Sequence, residues 1–289
     1  MPTPLKQQQS LAHALGLQKA LYFKREDEGP FHSHKGRIIP YLIDQYIQEG
    51  FTHFALSSSG NAGYVGARYI HEINKQRQEK ISLDIYFGAQ AHPEKVNRLQ
   101  QYVSEHIHTH TVARPLQELH KLIHNNPIIK SLRQSKDPFA VQSLAPLAEE
   151  LIGIPDLHAI FIPTSSGTTA RALGTYMKKV EIHIVQTTAT HPIAGMFDTQ
   201  FEEESRSDAS AIVDRIAYQK EIVKEIIKKS NGNGWVISNA EIKQAQSIVE
   251  IHTGIALSPT SALSVAGLQK ALRSGYTPSG SIICLITGA

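Results

Sequence analysis

Lys35 stands in a setting that no other lysine of this sequence shares. It lies in the stretch FKREDEGPFHSHKGR, residues 23–37, behind a turn at Gly29 and Pro30 and after the small and polar residues Ser33 and His34. A strand-like run, Leu21 to Lys24, delivers the chain into that turn. Just beyond it, Ile38, Ile39, Leu42, Ile43, Tyr46 and Ile47 repeat at helical spacing, so the lysine occupies a helix entrance. The positive end of the helix dipole and the neighbouring Arg37 both disfavour an ammonium there, and a neutral amine can attack a carbonyl. His32 and His34 flank the lysine, and turn chemistry is the expected role for both.

Three loops carry groups suited to anions. SSSGNAG, residues 57–63, offers hydroxyls at Ser58 and Ser59, conformational freedom at Gly60 and Gly63, and Asn61 as an N-cap. TSSGTT, residues 164–169, stands between the apolar run HAIFI and the helical ARALGTYMKK, the arrangement by which a helix N-terminus cradles a phosphate. The third is the exit of the last strand, Thr287 and Gly288. His106, His108 and His110 alternate, which puts them on one strand face, but no carboxylate or cysteine near them in sequence completes a metal site. No metal is expected.

These loops have to be positioned by the elements between them. Helix 38–49 is followed by a strand at 52–56, a helix from about 61, a strand at 83–87, a helix from 93 to about 103 and a strand near 107–112. Less regular sequence runs on to Lys136. Alternation resumes with a helix from 141 to 152, strand 158–162, a helix after Gly167 and strand 181–186. Residues 190–210 read as a mobile loop whose EEES charges are solvated. A helix near 216–228, the turn NGNG, strand 235–238, helices at 239–252 and 260–272 and a final strand at 282–286 complete the chain. Such alternation predicts an α/β protein with parallel sheets covered by helices on both faces, and ligands beyond the carboxyl ends of the strands.

The chain has 289 residues, enough for two domains, with 41% hydrophobic and 19% charged residues. Its formal charge is only +3 and no basic block interleaves with aromatics, so no nucleic-acid partner is expected. No apolar run is long enough to cross a bilayer and MPTPLKQQQ lacks a signal-peptide core, so a cytoplasmic protein with no membrane partner is expected. The single cysteine, Cys284, sits in an apolar strand and reads as a buried residue, not a nucleophile.

A lysine at a helix entrance, then an SSGN loop, then a small-residue phosphate loop, then a C-terminal hydroxyl resembles the fold type II, or tryptophan synthase β, family of pyridoxal-phosphate enzymes. The matching stretches are TPL at 3–5, LYFKRED at 21–27, SHKGR at 33–37, SSGNAG at 58–63, TSSGTTARALGTYMK at 164–178, TGIALSPTSALSVAGL at 253–268 and LITG at 285–288. The resemblance implies two parallel-sheet αβα domains with the cofactor, pyridoxal 5'-phosphate, in the cleft between them. Residues 1–37 and 137–289 would form the larger, cofactor-binding domain, and 38–136 the smaller, mobile one on the substrate side. It implies further that Lys35 holds the cofactor covalently, that Asn61 bonds its phenolic oxygen, and that Ser165, Ser166, Gly167, Thr168 and Thr169 hold its phosphate. Ser58, Ser59, Gly60, Asn61 and Ala62 would receive the substrate carboxylate. The pyridine nitrogen would meet Thr287 by the threonine synthase pattern or Thr260 by the cysteine synthase pattern. The implied activity is elimination or replacement at the β or γ carbon of a small amino acid, by a lyase or transferase acting as a homodimer.

Departures from the pattern keep other readings open. Gly36 stands where the family lysine is usually followed by aspartate, the phosphate loop has the single glycine Gly167, Ser258 replaces a glutamate common in dehydratases, and the sequence ends at Ala289 directly after LITG. A binding or regulatory protein that has kept the fold and lost catalysis fits these departures. A sugar-phosphate binder using TSSGTT alone is a further alternative.

Overall fold

The predicted alternation builds two separate sheets. The computed structural model describes residues 2–288, and the chain divides into a larger unit, residues up to His34 and from Leu144 onward, and a smaller unit, Lys35–Ser143. In chain order the elements are β1 (Leu5–Gln7), α1 (Gln9–Ala14), β2 (Leu21–Arg25), α2 (Lys35–Gln48), β3 (His53–Ser57), α3 (Asn61–Asn74), β4 (Ser82–Phe87), α4 (Pro93–Gln100), β5 (Ile107–Thr111), α5 (Pro115–Asn125), β6 (Ile129–Ser131), α6 (Pro138–Gln142), α7 (Ala145–Ile152), β7 (Leu157–Pro163), α8 (Thr168–Tyr176), β8 (Glu181–Thr187), α9 (Lys220–Lys229), β9 (Gly234–Ile237), α10 (Asn239–Thr253), α11 (Pro259–Arg273) and β10 (Ser281–Ile286). The larger unit holds a six-stranded sheet of order β1-β2-β10-β7-β8-β9, parallel except for the β1–β2 pair, and the smaller a parallel four-stranded sheet of order β5-β4-β3-β6.

Parallel strands covered on both faces read as unbroken apolar runs, and β10 is buried at every position. It packs in a core with Phe23, Phe161, Trp235 and Leu263. Burial pushes the Cys284 thiol up, as a strand-core cysteine requires. A second buried feature settles a tautomer. Indole N–H can only donate, so Trp235 Nε1, 3.2 Å from His183 Nδ1, makes that nitrogen the acceptor. His183 Nε2–H is then left to donate to Glu181, 3.1 Å away. Burial lowers the His183 pKa, in keeping with this neutral ring.

Several sequence expectations need correction. The stretch up to Lys136 is regular: Leu116, Leu119, Leu122 and Ile123 keep helical spacing in α5, with Leu119 buried against Ala55 and Ile129. Strand β6, only three residues long, pairs with β3 and was too short to show a period. The helix expected at 141–152 is two helices, α6 and α7, and α4 and α9 are shorter than expected. The smaller unit extends to Ser143 and begins at Lys35, beyond the expected 38–136, because α6 packs on α2 and Asp137 accepts the Tyr46 hydroxyl. Not all of the EEES charge is solvated. The Thr188 hydroxyl and the Asn239 N–H both bond the Glu204 carboxylate, and hold it below the usual range.

The alternating histidines also acquire a carboxylate from a neighbouring strand. Asp84 on β4 accepts from His110 Nε2 at 2.6 Å and from His53 Nε2 at 2.6 Å, with His108 Nδ1 at 3.7 Å. His106 lies before β5, beside Glu105. Among the described residues no group of three or more His, Cys, Asp or Glu is arranged to hold a metal ion. Burial works to raise the Asp84 carboxyl, but the bonds from His110 and His53 outweigh it and hold the group below its ordinary value. A carboxylate that titrates lower in the folded chain stabilises it fully above the unfolded value of about 3.9, and the benefit fades as pH falls through the folded value. Asp84→Asn should therefore start from a lower Tm at neutral pH and lose less of it on acidification than the parent. Parallel acid curves for the two proteins would contradict this.

Candidate functional site

Lys35 is the first residue of α2, and the turn ahead of it is pinned to the exit of β10. His34 N–H donates to Thr287 O at 2.9 Å, Ser33 Oγ donates to the same carbonyl at 3.1 Å, and His34 Nδ1 lies 2.9 Å from it. Because that acceptor is a carbonyl, the proton of His34 sits on Nδ1. His32 bends the chain with φ +54°, a left-handed conformation that costs a residue with a Cβ about 1 to 2 kcal/mol. The two histidines thus shape the turn. Lys35 Nζ donates to Gln134 Oε1 at 2.6 Å, a partner 99 residues away that nothing in the local sequence announces.

The other residues of the smaller unit lie at the β3–α3 loop. Gly60, and not Asn61, is the N-cap, and Asn61 is the first helical residue. Its carboxamide is therefore not spent on capping and has no hydrogen-bond partner among the described residues. Gly63 has no left-handed φ. It is needed because a Cβ there would lie 2.3 Å from Ser58 O. Ser58 Oγ accepts from Gly60 N–H at 3.2 Å, and no acceptor among the described residues takes the N–H groups of Asn61 and Ala62. An N-terminus of a 14-residue helix with open donors has the chemistry to accept an anion.

In the larger unit the loop after β7 leads into α8 through Gly167, whose φ of +90° only glycine adopts without strain. An added Cβ would also press on Val223 at 3.0 Å and Ile193 at 3.1 Å. Thr164 Oγ1 accepts the Gly167 N–H at 3.1 Å. Ser165 departs from its expected role: its hydroxyl donates to Asp214 Oδ2 at 2.8 Å and accepts the N–H groups of Val213 and Asp214 at 3.0 and 2.9 Å. That side chain fastens the 213–214 segment, so only its backbone is left for a ligand. Ser166 and Thr168 hydroxyls meet each other at 3.0 Å, and the N–H groups of Ser166, Thr168 and Thr169 find no acceptor among the described residues.

Thr260 and Thr287, far apart in sequence, lie on segments that are tied together. Ser258 Oγ and Ser261 Oγ both donate to Gly288 O at 2.7 Å, and Gly288 N–H returns a bond to Ser261 Oγ at 3.2 Å. Ser258 also caps α11. These two serines hold the third loop in place. Thr287 is only 3% exposed, and its hydroxyl has no partner among the described residues.

Taken unit by unit, the donors have the chemistry that parts of pyridoxal phosphate call for. Three open N–H groups and two hydroxyls converge at the N-terminus of α8 and suit a dianionic phosphate. A primary amine at the start of α2 suits an aldehyde, and an unspent carboxamide and an unpartnered threonine hydroxyl suit the ring's polar atoms. Replacing both hydroxyls, Ser166→Ala with Thr168→Val, removes charge-assisted bonds of roughly 1.5 to 3 kcal/mol and should weaken pyridoxal phosphate binding at least about tenfold. Titration of the cofactor into the double variant measures it, and unchanged affinity would mean that the phosphate sits elsewhere.

The chain matches a protein family over residues 1–288, the family described as "Pyridoxal-phosphate dependent enzyme". Its relatives include threonine synthase of Halalkalibacterium halodurans, 24% identical over 305 residues that cover 99% of this chain and 81% of that protein. Threonine synthase of Methanocaldococcus jannaschii is 24% identical over 314 residues, covering 99% and 74%. The fold is shared with a pyridoxal 5'-phosphate-dependent aspartate racemase, at TM-score 0.82 and 17% identity over 99% of this chain and 89% of that one. It is shared also with O-acetylserine dependent cystathionine beta-synthase from Helicobacter pylori, at TM-score 0.80 and 16% identity over 99% and 92%. Because the match runs over residues 1–288, the chain belongs to the family of pyridoxal-phosphate-dependent enzymes.

Proposed function

We infer that the chain carries out β- or γ-elimination or replacement on a small amino acid, as a lyase or transferase, with Lys35 as the lysine that takes the cofactor. The observation that carries this reading is the exit of β10, where Thr287 offers a buried, unpartnered hydroxyl and the turn is fastened by Ser33, His34, Ser258 and Ser261. Neither Thr260 nor Thr287 has a carboxylate partner among the described residues. Pyridoxal phosphate whose ring nitrogen meets a neutral hydroxyl is a moderate electron sink, suited to expelling a β or γ leaving group.

Thr287 is the favoured partner of that nitrogen, since its hydroxyl is the more buried of the two candidates. The open N–H groups of Asn61 and Ala62, with the hydroxyls of Ser58 and Ser59, take the substrate carboxylate, and the Asn61 carboxamide steadies the phenolic oxygen. The backbone of 165–169 and the Ser166 and Thr168 hydroxyls take the phosphate. Lys35 would hold the cofactor and, once its amine is free, would be the base that takes the α-proton. This reading takes the protein as a cytoplasmic homodimer, and sedimentation of the holoprotein tests the dimer.

The reaction is tested by loading the purified protein with pyridoxal phosphate and offering serine, O-acetylserine, threonine, homoserine phosphate and cysteine in turn. A change in cofactor absorbance followed by release of a leaving group or a replaced product is expected with at least one. A protein that binds the cofactor and turns over none of them would be the binding or regulatory protein instead.

A further inference from the structure

A buried amide supports the 164–169 loop of the larger unit from behind. Gln186, near the end of β8, is 0% exposed, and its carboxamide is engaged at both ends. Oε1 accepts the N–H groups of Ile193 and Ala194 at 2.9 and 2.8 Å, and Nε2 donates to Ser165 O at 3.2 Å and to Thr164 O at 3.3 Å. The amide can stand only this way round, because a backbone N–H donates and a carbonyl accepts.

The segment on the far side of Gln186 is fixed without help from the loop. Its short 3-10 turn, Ala194–Met196, lies so close to β9 that a Cβ on Gly234 would come within 2.8 Å of Ala194 Cα. Asp198 N–H donates to Ala194 O at 3.0 Å, and the Asp198 carboxylate accepts the Val236 N–H at 2.9 Å and pairs with the Lys270 ammonium at 2.6 Å. Gln186 therefore joins the loop to a buttress that β9 and α11 hold in place.

The effect on the loop follows from the geometry of the peptide bond. In a planar trans peptide the C=O of one residue and the N–H of the next point in opposite directions. Holding Ser165 O on Gln186 turns the Ser166 N–H away from Gln186, and that N–H is one of the open donors ahead of α8. Holding Thr164 O does the same for the Ser165 N–H. We propose that Gln186 is a positioning residue that aims the backbone donors of this loop at the cofactor phosphate by gripping two carbonyls on the loop's reverse side. The inference rests on the reading of 165–169 as the phosphate seat. An amide suits the task because it brings two donors and no charge. A carboxylate would set its own oxygens against the two carbonyls, and an apolar side chain would leave both carbonyls unpaired in a fully buried place.

The test uses the full-length protein freed of cofactor and compares pyridoxal 5'-phosphate with pyridoxal, which lacks the phosphate, by absorbance titration. The parent should prefer the phosphorylated ligand. In Gln186→Met, which keeps the length of the side chain, that preference should shrink about tenfold or more, since a charge-assisted bond to phosphate carries about that much. Pyridoxal itself should bind as it does to the parent. Lys24→Met, which loses a buried ion pair away from this loop, is the control for general loosening and should keep the parent's preference. Should Gln186→Met not fold, Gln186→Glu takes its place: it keeps the volume and the acceptor oxygen, loses at least one of the two donated bonds, and should shift the preference in the same direction. A folded Gln186 variant with the parent's preference, or one that loses both ligands equally, would overturn the proposal. A parent with no preference for the phosphorylated ligand would instead contradict the phosphate reading of the loop, and the proposal would fall with it.

Discussion

Lys35→Ala should abolish covalent attachment of pyridoxal phosphate and lower turnover by about a hundredfold to ten-thousandfold, the range over which a positioned proton-transfer group acts. The fold should survive, because Lys35 is only half-buried at a helix start and contributes no apolar surface to the core. The phosphate seat at α8 is untouched by the change, so the variant should still bind the cofactor reversibly. Borohydride reduction followed by intact mass is the measurement: the parent gains the mass of the reduced cofactor and the variant does not. Retained attachment in the variant would move the reactive amine to another lysine. Lys24, the nearest in sequence, is not a candidate. It is 2% exposed, and its Nζ is spent on Thr3 O, at 2.6 Å, and on the Glu150 carboxylate.

That engagement makes Lys24 a stability residue, and its replacement carries the second large effect. Lys24→Met removes one member of a buried pair and takes the Lys24 ammonium from Glu150. Loss of one partner of a buried ion pair costs about 3 to 5 kcal/mol, and Glu150, still 17% exposed, belongs at the lower end, about 3 kcal/mol. In a chain of this size that is several degrees of Tm. Replacing both partners, Lys24→Met with Glu150→Leu, should recover much of the loss, because no charge of the pair is then left in the apolar surroundings. A single variant as stable as the parent would contradict the account. So would a double variant that melts below the single one.

The chemistry-bearing loops could be read from the sequence because each follows an apolar run that ends abruptly in Ser, Thr, Gly or Asn and precedes a helical period. That is how SSSGNAG, TSSGTT and the lysine at the head of α2 stood out, and the structure puts all three at strand-to-helix or turn-to-helix junctions. What stayed hidden was non-local. Gln134 sits in a polar stretch with no period, and its link to Lys35 spans 99 residues. Asp84 lies on a different strand from the histidines that surround it, so the strand face that looked merely polar is a hydrogen-bonded cluster. Ser258, conspicuous only as a missing glutamate, proves to hold Gly288 together with Ser261. Ser165 looked like a phosphate ligand because its neighbours do, yet an aspartate 49 residues on claims its hydroxyl. Composition and spacing report which groups a loop owns, whereas tertiary packing decides which of them remain unspent.

The most direct measurement of the central claim is the site of cofactor attachment. The purified protein is incubated with pyridoxal phosphate, reduced with borohydride and digested, and the phosphopyridoxyl group is located by peptide mass spectrometry. The account predicts one modified residue, Lys35, at close to one group per chain. A group found on any other lysine, or spread over the exposed lysines with Lys35 unmodified, would contradict it.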